Sequence, residues 1–138
     1  MPEAFKLPKE MCRRCFWMLN QVERMADNAR ELWATARWRE VEPKVRMDMA
    51  RLALEALDDL LRSVKEASVC MRSETFDGLV SNIEGVKRRL DMLVSEAKTP
   101  EQFDSMLEDL ERSIDSYMEA IERGVERFKS NFATHCLP

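Results

Sequence analysis

The sequence predicts an all-α protein, an antiparallel up-down-up-down four-helix bundle with long helices. Three observations predict it. Apolar residues recur in alternating steps of three and four, which places them on one face of a helix. Leu, Ala, Met, Glu and Arg dominate, and all favour helix. Three glycines and five prolines leave little turn chemistry for hairpins, and no segment alternates as a strand would.

The first helix is expected over about residues 8–39, with Pro8 in its first turn. Its seam is Met11, Cys15, Met18, Val22, Met25, Ala29, Leu32 and Ala36, widened on one side by Cys12, Leu19, Ala26 and Trp33. Glu42-Pro43 ends it, because a residue before proline is pushed out of the helical region. The second is expected over 43–71, with Val45, Met49, Leu52, Ala56, Leu57, Leu60, Leu61, Val64, Ala67 and Met71 inward. Residues 73–78 read as a break, followed by a third helix over 76–98. Thr99-Pro100-Glu101-Gln102 is a helix start, with Thr as cap, Pro at the first position and Gln closing a capping box. The fourth helix follows over 100–133. Gly85 and Gly124 fall inside helices, where each costs about 1 kcal/mol relative to Ala; the expected reason is close helix–helix approach.

The chain has 138 residues, 35% charged and 45% hydrophobic, the balance of one folded domain, residues 1–138. No apolar run approaches the roughly 18 residues of a membrane span, and no secretory leader is legible. The expected location is intracellular or within a virion. Low amide content beside abundant Arg and Glu suggests a thermophilic source. The formal charge is −4, unevenly spread. Residues 1–46 carry ten basic and seven acidic side chains; residues 47–138 carry twelve and nineteen. A basic N-terminal element therefore sits on an acidic body, which argues against indiscriminate nucleic-acid binding but permits one basic face.

In this topology the start of helix one, the end of helix two and the end of helix four share one end of the bundle. Cys12, Cys15, Cys70, His135 and Cys136 occupy those positions. Core thiols are the leading reading, since cysteine packs as a small hydrophobe. Disulfides come next, then a zinc site or an iron–sulfur cluster, whose ligand types these residues match. His135 reads as a solvated tail residue.

The opposite side of helix one carries Phe16, Trp17, Arg24, Arg30, Arg37 and Trp38, flanked by Arg13 and Arg14. Lys9, Arg39, Lys44 and Arg46 extend the basic stripe into helix two. Three readings stand: arginines paired with interleaved glutamates while the aromatics cover the core ends, a protein interface, or a nucleic-acid face. Arginine suits phosphate through its planar fork, and aromatics between arginines can stack on bases. No catalytic constellation emerges. The chain lacks a P-loop, a dinucleotide fingerprint, His-Glu-x-x-His and the paired Glu-x-x-His of di-iron bundles.

Cys12-Arg13-Arg14-Cys15-Phe16-Trp17 resembles the N-terminal signature of RecB-like iron–sulfur nucleases. The match covers under a tenth of the chain, and the nuclease core of that family has no counterpart here, so nuclease activity is not carried over. In size, helix content and basic N-terminal region the chain is similar to archaeal filamentous-virus nucleocapsid proteins. That resemblance implies a helical coat protein wrapping DNA. The expectation is a non-enzymatic structural protein without cofactor or small-molecule substrate. It would assemble with itself or a paralogous subunit through Phe16, Trp17 and Trp38. It would bind nucleic acid, DNA first, through Lys9, Arg13, Arg14, Arg24, Arg30, Arg37, Arg39, Lys44 and Arg46. The alternatives are a metal- or disulfide-stapled adaptor for a protein partner, or a small helical subunit of a nucleoprotein complex.

Overall fold

The computed structural model describes residues 8–136. Four helices follow in order: α1 (Lys9–Ala36), α2 (Pro43–Glu66), α3 (Ser73–Glu96) and α4 (Pro100–Cys136), with a short 3-10 turn at Ser68–Cys70 after α2. Sequential helices pack side by side, and α4 closes the ring against α1. This is the predicted antiparallel four-helix bundle, with no strand among the described residues. None of its helices is long and apolar enough to cross a membrane.

The expected boundaries shift where local chemistry intervenes. The first helix stops at Ala36 rather than residue 39. Trp38 N–H then bonds Thr35 O, and Val41 N–H bonds Trp38 O, folding residues 37–42 into a turn. Glu42 is extended ahead of Pro43, as the proline demands. The second helix gives way after Glu66 to the 3-10 turn, and Met71 is fully extended. The expected break at 73–78 is instead the first turns of α3. Gly78 takes no positive φ there, so nothing in its conformation interrupts the helix. The start of α4 is as expected in kind: Gln102 N–H bonds Thr99 Oγ1, while the Gln102 side chain accepts from Lys98 N–H, one residue further back than a standard capping box.

The core also corrects the expected inward faces. On α1 the buried line is Cys15, Leu19, Val22, Ala26, Ala29, Trp33 and Ala36. Met18, Met25 and Leu32 sit half-buried at its edge. On α2, Arg46, Ala50 and Ala53 are buried where Val45 and Leu52 were expected, and those two are exposed. Small residues explain the rotation: alanines on the inner faces of both helices let α1 and α2 approach closely, and the larger side chains are displaced to the seam. The two internal glycines behave as expected. A Cβ on Gly85 would lie 2.6 Å from the Tyr117 ring, and one on Gly124 would lie 2.6 Å from Leu79, so both mark tight α3–α4 contact.

Candidate functional site

The cysteines converge as the topology predicted, and they are bonded: Cys12 to Cys136 and Cys15 to Cys70. The leading expectation of free core thiols is therefore overturned, and no free cysteine remains among the described residues. Packing alone cannot distinguish a thiol from half a disulfide in sequence, because both are small and apolar. Within Cys12-x-x-Cys15 each sulfur serves a different helix, tying α1 to α4 and to the end of α2. With its sulfurs paired, the cluster presents no thiolate to a metal ion. No group of three metal-ligating His, Cys, Asp or Glu side chains occurs among the described residues. His135 is partly buried rather than fully solvated.

The last turn of α4 runs beyond the start of α3, whose preceding Arg72 N–H bonds Asn131 of α4. This overhang brings Phe132 against Phe16, ring centroids 5.8 Å apart. Together the first turns of α1 and the last turns of α4 enclose a groove of about 970 Å³. Phe16, Leu19 and Phe132 supply its apolar wall; Lys9 and Arg13 line its rim.

The basic stripe does not survive as one surface. Arg30 pairs with Glu122 at 2.7 Å and with Asp27. The Glu122 hydrogen bond is the main reason its pKa is raised, working against partial burial. Arg37 pairs with Glu111 and Asp115, at 2.7 and 3.2 Å, and Arg39 reaches Glu111 at 3.3 Å. Arg46 is 2% exposed. Its Nε donates to Val41 O, its Nη1 lies 2.9 Å from Asp104, and its guanidinium lies over Phe103. These four residues, expected to neutralise phosphates, pair with carboxylates of α4. The basic N-terminal element and the acidic body thus meet within the molecule. Lys129 of α4 repeats the pattern in reverse, pairing with Glu23 of α1 at 2.8 Å.

Lys9, Arg13, Arg14, Arg24 and Lys44 are exposed, and none forms an ion pair among the described residues. Four of them belong to α1, with Lys9, Arg13 and Arg14 in its N-terminal half and Arg24 just past its middle. Arg13, Trp17 and Arg24 follow one helical stripe at i, i+4 and i+11. Trp17 is 64% exposed and Phe16 54%. Lys44 stands apart at the opposite end, near Trp38, which is 58% exposed. The aromatic and free-cation features that sequence joined into one face therefore form two.

Comparison with known protein families, with curated proteins and with solved structures finds no match. The site's reading rests on its geometry.

Sequence reasoning missed two features. One is the exposed apolar set on α2, Val45 and Leu52, with Val69 in the 3-10 turn. The other is the acidic line of α4 that faces α1. The excess of acid in residues 47–138 is the signal that could have found that pairing, although in sequence alone the line reads as a solvated helix face.

Proposed function

We propose that this chain is a non-enzymatic structural protein that assembles, through the α1–α2 side of the bundle, with further copies of itself or a paralogous chain. One observation carries the reading. Of the seven large hydrophobic side chains exposed among the described residues, Phe16, Trp17, Trp38, Val45, Leu52 and Val69 belong to α1, α2 and their flanking turns; only Met92 lies elsewhere. Exposed apolar side chains gathered on two adjacent helices and their turns support a contact there. The two disulfides support a scaffold role, since they tie α1 to the rest of the bundle at one end and hold that side rigid.

Size-exclusion chromatography with light scattering, under oxidising conditions and across concentrations, tests the reading. The expected result is a mass that grows with concentration, accompanied by a blue shift of tryptophan emission as Trp17 and Trp38 leave water. A monomer at every concentration with unshifted emission sinks self-assembly and favours a disulfide-stapled adaptor for a different protein.

A second reading is favoured by the exposed cations of α1. Lys9, Arg13, Arg14 and Arg24 lie near Trp17 along α1 and form no ion pair among the described residues, which suits phosphate contacts and base stacking on a nucleic acid. A nucleocapsid-like protein would combine both properties. Titration of duplex and single-stranded DNA and of RNA at low salt tests this. Absence of binding to all of them removes the nucleic-acid half and leaves the assembly half standing.

A further inference from the structure

We propose that the α1–α4 groove binds an anionic amphiphile, a long-chain carboxylate whose head group meets Lys9 and Arg13 and whose alkyl chain lies over Phe16, Leu19 and Phe132. At about 970 Å³ the groove has the size of a small-molecule site, for which about 300–1,000 Å³ is usual. The Cys12–Cys136 bridge ties its α1 wall to its α4 wall. The site is therefore formed before a ligand arrives, and binding need not order the helices.

The lining changes character along the helix axis. Lys9 and Arg13 stand in the first turns of α1. Both are exposed, and neither forms an ion pair among the described residues. The positive end of the α1 dipole lies at the same mouth. Glu10 opposes these charges and is outnumbered by them. Further along, Phe16 meets Phe132 across the groove at 5.8 Å, and Leu19 follows one turn on. Lys129 closes the inner end, where Glu23 holds it at 2.8 Å. A cationic mouth thus leads onto an apolar floor that ends at a neutralised pair. From Lys9 to Leu19 the path is about 15 Å at 1.5 Å per residue, which seats an alkyl chain lengthwise. An extended peptide would bring backbone N–H and C=O groups onto Phe16, Leu19 and Phe132, which have no partner to offer them; an alkyl chain needs none. The arginine fork of Arg13 suits a carboxylate. Elsewhere an anion is repelled, since residues 47–138 carry nineteen acidic and twelve basic side chains.

The test titrates the oxidised full chain with sodium octanoate, decanoate and dodecanoate at neutral pH, each below its micelle-forming concentration. Isothermal titration calorimetry reads the binding and circular dichroism follows helicity. The expected result is one molecule per chain, unchanged helicity, and about tenfold tighter binding for each added pair of methylenes, since one buried methylene is worth about three- to fourfold. Decyltrimethylammonium, with a chain of similar length and the opposite charge, should bind at least about tenfold more weakly than decanoate. Lys9→Gln/Arg13→Gln should weaken decanoate about three- to tenfold and leave decanol unchanged. Ala133→Trp places an indole at an exposed position of the lining. It should abolish binding while helicity and melting stay those of the wild type. No saturable binding to the folded chain, equal affinity for the two charges, or binding unaltered by Ala133→Trp overturns the proposal. Binding to anionic vesicles without binding to the monomeric carboxylates overturns it as well, and assigns these residues to a membrane surface. Carboxylate binding by a chain that stays monomeric upholds the groove while self-assembly fails, so the two readings fail separately.

Discussion

The indole Nε1 of Trp33 donates to Asp115 Oδ1 at 2.7 Å, joining α1 to α4 across 82 residues of sequence. Trp33 is buried, and Asp115 also receives Arg37. The bond sets the rotation of α1: it turns Trp33 and Leu19 inward and leaves Met25 and Leu32 at the seam. A buried donor left without a partner costs about 1–3 kcal/mol. Asp115→Ala should lower stability by that amount in denaturant melts, while Trp33→Phe/Asp115→Ala should cost less than the sum of its single changes. Strict additivity would show that the bond does not couple the helices.

Arg46 should be the costliest arginine to remove. It is enclosed by Val41 O, Asp104 and the Phe103 ring, and breaking a buried ionic contact costs about 3–5 kcal/mol. Asp104 is half exposed, which places Arg46→Ala near the lower end of that range. Arg39→Ala, on an exposed pair, should change stability by less than about 1 kcal/mol. Chemical denaturation of the two variants separates them; equal losses would contradict the burial argument.

Three glycines in helices should respond in opposite directions. A Cβ on Gly78 meets nothing within 4 Å, so Gly78→Ala should stabilise by about 0.5–1 kcal/mol by raising helix propensity and restricting the unfolded chain. At Gly124 the new methyl strikes Leu79, which is fully buried and has no room to retreat. Gly124→Ala should cost about 1–3 kcal/mol through overpacking. Gly85→Ala should fall between them, since Tyr117 is only partly buried and can shift. Thermal unfolding of the three variants gives the order.

If nucleic acid binds, the cations should divide by their partners. Changing Arg13, Arg14 and Arg24 to Gln should reduce the slope of log K against log salt by about 0.9 for each duplex-DNA phosphate that the variant no longer neutralises. Changing Arg30 and Arg37 to Gln should leave that slope intact and lower the melting temperature instead, because those residues serve α4. The reverse pattern would show that the α1–α4 ion pairs open on binding.

The hydrogen bond to Glu23, then the charges of Glu23 and Glu126, raise the pKa of Lys129 above the ordinary lysine value. A group whose folded pKa is raised stabilises the fold below its unfolded pKa and loses that contribution as pH climbs through the folded value. The wild type should therefore lose its advantage over Lys129→Met as pH rises above about 10.5, the usual lysine value. Melting curves of both proteins between neutral and alkaline pH check the convergence.

Helix number, order and the antiparallel arrangement were determined by sequence, because the three-and-four spacing of apolar residues and the proline punctuation act locally. The gathering of Cys12, Cys15, Cys70 and Cys136 at one end followed from that topology. What only the tertiary structure decided was rotation and partnership. A helix stripe wide enough to hold both Met25 and Trp33 does not say which side turns inward. That depends on how closely alanines let α1 approach α2, and on Asp115 waiting on α4. Charges are more ambiguous still. Arg24 and Arg30 look alike in sequence, and only the placement of Glu122 makes Arg30 a neutralised strut while Arg24 forms no ion pair among the described residues, since a salt bridge depends on distances that no one-dimensional spacing between separate helices contains.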